Sequence, residues 1–355
     1  MLHLGKRAAV LTAAGVLSAG MLAGCSGTID TGAVVATVGE EDITLGVANF
    51  YARMTQGQYE TYYAGMMGMT GEDMWTQEVE EGKTYEQAVK ESIMTELENL
   101  YLISQHAAEY EVALTEDEED AIKEAAKQFD ENNSDETKEV VSGYRKDIEK
   151  YLELLTIQNK MADKMKEGVD EEVSDEEAAQ KAMKYVYFSF SSTDDSGNTV
   201  DLSDEEKEAL REDAQTLADR VKDGENMTEV AEEMGLTAND LTFDEESTGP
   251  NEDLVAEVNG FTEEGECTDP IESDLGLYVG QLTSLLDRDA TDQEKNNIVE
   301  ERRQEQYNSL LEEWRDAVTI EVDEKVWEKV DFNDVGVTII TPEEETEGSE
   351  TETEE

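Results

Sequence analysis

Residues 184–190 read Lys184-Tyr185-Val186-Tyr187-Phe188-Ser189-Phe190, and the fold of the middle of the chain is worked out from them. Val186, Phe188 and Phe190 alternate with Tyr185, Tyr187 and Ser189, the period of two that a half-buried strand needs. Asp194-Asp195-Ser196-Gly197-Asn198 follows as a turn. Ser203 with Glu206 three residues on predicts a helix start, because hydroxyl and carboxylate can each cap an amide that the first turn leaves unpaired. Leu210, Ala214, Leu217, Ala218 and Val221 then fall on one face of that helix. Gly224 to Ala231 comes next, then Asp240-Leu241-Thr242-Phe243. The stretch closes with Gly265-Glu266-Cys267-Thr268-Asp269-Pro270-Ile271 and Gly276-Leu277-Tyr278-Val279-Gly280-Gln281-Leu282.

This order resembles the parvulin-type peptidyl-prolyl isomerase domain of PrsA/SurA-type extracytoplasmic foldases, over about 100 residues, the size of a small domain. The segments Gly265 to Ile271 and Gly276 to Leu282 carry the most specific part of the match. The resemblance implies a small antiparallel sheet flanked by helices, and a pocket that twists a prolyl amide. In parvulins two histidines on adjacent strands, with a nearby Cys or Asp, set the polarity of that pocket. The first histidine position falls at Tyr185 or Tyr187 and the second at Tyr278. The loop that carries the family's Cys or Asp is shortened to Gly235-Leu236-Thr237-Ala238. Tyrosine hydrogen-bonds but titrates near ~10, so it does not replace imidazole as a proton donor or acceptor at pH 7. Cys267 occupies a packing position of the motif and is expected in the core. The chain is thus a candidate peptidyl-prolyl cis-trans isomerase that lacks the family histidines, with Tyr185, Tyr187 and Tyr278 as its candidate catalytic positions.

Composition narrows the partners. The 355 residues carry 90 Asp and Glu against 27 Lys and Arg, a formal net charge of −63. Phosphate contacts need basic patches, so no nucleic-acid partner is expected, nor electrostatic docking on anionic lipid. No phosphate loop, nucleophile elbow or zinc motif occurs. The two histidines, His3 and His106, stand far apart in sequence, and neither a metal nor a cofactor is expected.

The N-terminus reads as an address. Lys6 and Arg7 precede an apolar run, Ala8 to Leu22, too short for an ordinary membrane span. It ends at Leu22-Ala23-Gly24-Cys25, which resembles a bacterial lipobox. That resemblance implies cleavage before Cys25 and lipidation of its sulfur, on the outer face of a Gram-positive-like cytoplasmic membrane. Residues 1–24 are then a signal peptide and 25–32 a tether. The two cysteines, Cys25 and Cys267, are not expected to pair.

The segment from Ala33 predicts a strand, a turn and a second strand, then a helix from Leu45 with Val47, Phe50, Tyr51 and Met54 inward. This opening resembles the SurA-type chaperone domain. Thr84 with Gln87, Thr115 with Glu118 and Thr291 with Glu294 predict further capped helices, and Ser174 with Glu177 a short one. Between them lies a Met-, Tyr- and Gly-rich run. Its residues Tyr62, Met66, Met67, Met69, Met74 and Trp75 are candidates for a client-binding groove, because flexible Met side chains adapt to many apolar partners; the alternative is irregular core filling. After the parvulin-like stretch, Val318 to Val322 predicts a strand. In the resembled family that part folds back onto the N-terminal domain.

The expected fold class is α+β, mainly helical. A discontinuous chaperone domain (33–180 plus 288–340) holds an inserted parvulin-like domain (181–287), and an acidic disordered tail occupies 341–355. The expected function is a membrane-anchored extracytoplasmic foldase that binds unfolded or secreted polypeptides, with weak or absent isomerase activity. The alternatives are an active parvulin-type isomerase and a non-enzymatic surface-binding lipoprotein.

Overall fold

The computed structural model of the chain describes residues 16–21, 29–194 and 196–340. Cys25, the bulk of the leader and the acidic tail therefore lie outside the described residues, as does the first half of the tether. The fold is α+β and mainly helical, with small antiparallel sheets. It divides into two compact units, one of residues 1–167 and 304–355, the other of residues 168–303.

The first unit opens with β1 (Val16–Met21), β2 (Val34–Val38) and β3 (Glu41–Thr44), followed by helix α1 (Leu45–Gln58). Thr44 caps α1 by accepting from the Val47 amide. A π-helical turn, Tyr59–Tyr63, continues α1 and leads to α2 (Ala64–Met67) and α3 (Gly71–Trp75). A short ribbon of β4 (Glu78–Glu80) and β5 (Lys83–Thr84) precedes the long α4 (Tyr85–His106), then α5 (Glu116–Asn132), α6 (Asp135–Val141) and α7 (Arg145–Met165). Capping boxes are present at both expected sites, Thr84 with Gln87 and Thr115 with Glu118.

The second unit contains β6 (Lys181–Ser189), the ribbon β7 (Ser191–Thr193) and β8 (Thr199–Asp201), helix α8 (Asp204–Lys222) and helix α9 (Met227–Glu233). Then come β9 (Ala238–Phe243), α10 (Glu252–Asn259), β10 (Ile271–Ser273) and β11 (Gly276–Ser284). The sheet order is β10-β11-β6-β9, with every neighbouring pair antiparallel. Val186, Phe188, Leu277 and Val279 point to one face and pack with Ala214, Leu217 and Val221 of α8. Met183 and Leu282 point to the other and pack with Leu254, Val255 and Val258 of α10. The alternation in residues 184–190 is thus that of a strand covered unequally on its two faces.

Helix α11 (Arg288–Ala317) begins in the second unit and ends in the first. Its start differs from the expectation at Thr291. The Asp287 carboxylate accepts from the Ala290 amide, and Thr291 lies inside the helix, fully buried, where its hydroxyl accepts from the Gln180 amide. A tertiary contact has taken a hydroxyl that local pattern assigns to a cap. Ser174 likewise accepts from the Glu177 amide, but only a turn forms there.

The chain returns to the first unit through β12 (Ile320–Val322), α12 (Glu324–Trp327) and β13 (Val335–Ile340). β12 pairs antiparallel with β2, giving a sheet β12-β2-β3. Trp314 and Trp327 are buried in the main core with Leu97, Leu100, Tyr101 and Phe332. The His106 ring stacks on Trp314 at 4.2 Å and 7°. β13 pairs with β1, so part of the segment read as a leader is a strand of this unit.

Candidate functional site

The three tyrosines meet. Tyr187 and Tyr278 are direct cross-strand partners on β6 and β11, and Tyr185 lies two residues along β6 on the same face. Ring centroids are 4.7 Å apart for Tyr187 and Tyr278 and 6.3 Å for Tyr185 and Tyr278. All three rings are half-buried, and Tyr185 and Tyr278 pack against the same cluster as Leu241, Phe261 and Ile271.

Two glycines allow this surface. A Cβ at Gly276 would stand 2.2 Å from the Phe188 carbonyl oxygen and 2.7 Å from Cε2 of Tyr187, so only glycine lets the Tyr187 ring lie over the start of β11. A Cβ at Gly280, opposite Tyr185, would stand 2.6 Å from Cδ1 of Leu254, so glycine there lets α10 close over the neighbouring part of the sheet. The Tyr187 hydroxyl donates to the Leu275 carbonyl at 2.7 Å. That bond holds the β10–β11 turn against the ring and leaves the Leu275 side chain 73% exposed. Leu275 is absent from the sequence-based candidates, because nothing in its local pattern marks it.

Chemically this is an apolar surface edged with hydroxyls. Burial, reinforced by the neighbouring Tyr187 and Tyr185 hydroxyls, raises the Tyr278 phenol above its ordinary value of 10.0. It stays protonated at neutral pH and can donate a hydrogen bond. Cys267 is in the core against α8, and burial pushes its thiol up to about 12, so it supplies no thiolate. Among the described residues no cluster of His, Cys, Asp and Glu could hold a metal ion.

Solved structures of PrsA foldases are similar to this chain. Foldase protein PrsA from Streptococcus pneumoniae is 18% identical, covering 73% of this chain and 99% of that one, with a TM-score of 0.30. PrsA from Bacillus subtilis is 14% identical over 84% and 98%, TM-score 0.24, and the peptidylprolyl isomerase PrsA from Bacillus cereus 13% over 70% and 93%, TM-score 0.30. No protein-family model matches the chain. No curated protein matches it either.

The Met-rich segment of the first unit separates into two populations. Met74 and Trp75 are fully buried, which corrects their assignment to a surface groove. Trp75 stacks on Tyr85, lies 4.8 Å from the Phe332 ring, and donates its indole N–H to Glu60 at 2.8 Å. The indole is a core plug whose one polar atom is satisfied. Met69 is partly buried against the same core. Tyr62 and Met66 are exposed, the latter at 83%, and Tyr63, absent from the expected set, is exposed with them. The Met67 side chain lies outside what is described. The helical stretch here breaks at Gly68, with φ of 67°. Elsewhere in this unit a cleft of about 520 Å³ is lined by Lys83, Lys90, Glu91, Glu98 and Trp327, a mixed-charge wall unlike an apolar client groove.

Proposed function

We propose that the chain is a lipid-anchored extracytoplasmic foldase of the PrsA/SurA type. It holds unfolded secreted polypeptides and has weak or absent prolyl isomerase activity. The observation that carries the reading is the half-open aromatic face of Tyr185, Tyr187 and Tyr278 on the four-stranded sheet. It occupies the positions where the parvulin resemblance puts a peptide pocket, and it offers stacking and hydrogen-bond donation without an imidazole. Such a face suits binding of extended apolar peptide and does not suit acid–base chemistry at pH 7. Tyr62, Tyr63, Met66 and Met69 supply a second adaptable apolar surface.

Anchoring rests on the Leu22-Ala23-Gly24-Cys25 sequence behind Lys6 and Arg7. No helix of the described residues is long and apolar enough to cross a membrane.

Two assays on the processed protein test the reading. Suppression of aggregation of an unfolded secreted protein at near-stoichiometric ratio is expected. Acceleration of a proline-limited refolding reaction is expected to be slight or nil. Failure to suppress aggregation points to the surface-binding lipoprotein instead, and strong acceleration of refolding to the active isomerase.

A further inference from the structure

β13 (Val335–Ile340) reads Val335-Gly336-Val337-Thr338-Ile339-Ile340, without a charge, proline or bulge. Proteins ordinarily blunt an edge strand with one of these devices, because its unpaired amides and carbonyls recruit other strands. Here the edge is covered by β1 (Val16–Met21) in a six-residue antiparallel register from Val16↔Ile340 to Met21↔Val335. β1 comes from the segment that cleavage before Cys25 would remove.

Among the described residues β1 is the only strand that pairs with β13, which is also held from the side away from β1. On its other side the Val337 amide donates to the Glu60 carboxylate at 2.7 Å, and the Ile339 amide to the Thr61 hydroxyl at 2.9 Å. Gln56 donates to the Val335 and Phe332 carbonyls at 2.6 and 3.1 Å. Gly57 lets the strand lie close on α1, since a Cβ there would stand 3.2 Å from Cγ1 of Val337. Amides alternate in direction along a strand, so those of Gly336, Thr338 and Ile340 face β1. The groove beside them is shaped for an apolar side chain. Leu17 is 3% exposed there, among Phe50, Phe129, Ile148 and Val337.

We propose that the β13 edge is a binding site for an extended apolar segment of another polypeptide. In the unprocessed chain residues 16–21 fill it, and removal of the leader opens it. The proposal rests on the foldase reading and gives it a second site: recognition by added-strand pairing is independent of sequence apart from an apolar residue at the Leu17 position. That is the selectivity a holder of unfolded chains requires.

The test uses a fluorescent peptide with the sequence of residues 15–22, carrying a solubilising lysine tail, and anisotropy in one mild detergent. The processed protein is expected to bind it. The Cys25→Ala chain, which keeps its leader, is expected to bind at least about tenfold more weakly, because the site is already filled. N-methylation of the peptide at Ser18, which opposes Thr338 and whose amide faces β13, is expected to weaken binding about tenfold or more; N-methylation at Ala19, whose amide faces away, is expected to change it less than about threefold. No binding to the processed protein, or equal loss from both methylations, overturns the proposal. Equal binding by the leader-retaining chain overturns its self-occupied part. Aggregation suppression measured on the same preparation separates the two readings. If suppression persists without peptide binding, the edge proposal fails alone; if both are lost, the foldase reading fails with it.

Discussion

Tyr187 and Tyr278 face each other across β6 and β11, with ring centroids 4.7 Å apart at an interplanar angle of 31°. The phenol of Tyr278 is held above its ordinary value by burial. Protonation at this tyrosine is therefore constant across neutral pH. Any residual isomerase activity of the processed protein is expected to be flat between pH 6 and 8, whereas an imidazole would titrate near ~6.5. Proline-limited refolding measured across that range checks it. Tyr187→Ala with Tyr278→Ala is expected to weaken binding of an apolar peptide to this face by about 1–3 kcal/mol, the worth of aromatic contacts of this size. The double change to Phe is expected to cost much less.

Asp147 is a buried carboxylate without an adequate partner. It is 3% exposed, and its Oδ2 has no hydrogen-bond partner among the described residues. It packs against Gly46, where a Cβ would stand 2.5 Å from its Oδ1. Burial raises its carboxyl from 3.8 to about 6, and only Lys146 opposes this. The folded state then binds the proton more tightly than the unfolded one. This group's contribution to stability is full below about pH 4, falls as pH rises toward 6, and stays low above that. Asp147→Asn cannot ionise. At pH 7 it is expected to be more stable than the parent by up to about 3 kcal/mol, and at pH 4 by much less. Urea unfolding at the two pH values measures the difference.

The two populations of the Met-rich segment predict opposite phenotypes. Trp75→Ala removes a fully buried indole and is expected to cost about 3–5 kcal/mol of stability. Tyr62→Ser with Met66→Ser changes exposed side chains, so it is expected to leave stability within about 0.5 kcal/mol per site. It is nonetheless expected to reduce aggregation suppression. Thermal unfolding and a client aggregation assay on the same preparations separate the outcomes. Normal holding by the Ser variant, with its fold intact by circular dichroism, removes this surface from the client site.

Cys25→Ala is expected to abolish acyl labelling and to leave the leader attached. Metabolic labelling with a fatty acid, with the chain's mass on a gel, decides the matter. Unchanged processing and label in the variant reject the lipid anchor.

The sequence by itself determined what is encoded within a few neighbouring residues. Ser203 with Glu206, Thr84 with Gln87 and Thr115 with Glu118 form the expected boxes, because both partners of each bond lie three residues apart. The alternation at Val186, Phe188 and Phe190 marked a strand and the face it buries, whereas that Tyr187 and Tyr278 pair across two strands is seen only in the assembled sheet. The sequence left undecided which of several chemically similar side chains would be buried. Trp75 and Met66 stand nine residues apart in one compositional run, yet one is inaccessible and the other 83% exposed, since burial depends on whether Phe332 and Tyr85 close over the site. Thr291 reads as a cap until Gln180, more than a hundred residues earlier, claims its hydroxyl. The pairing of Val335–Ile340 with Val16–Met21 joins the two ends of the chain. Strand partners are chosen by backbone edges that any residue presents, so only the assembled tertiary structure decided which edges meet.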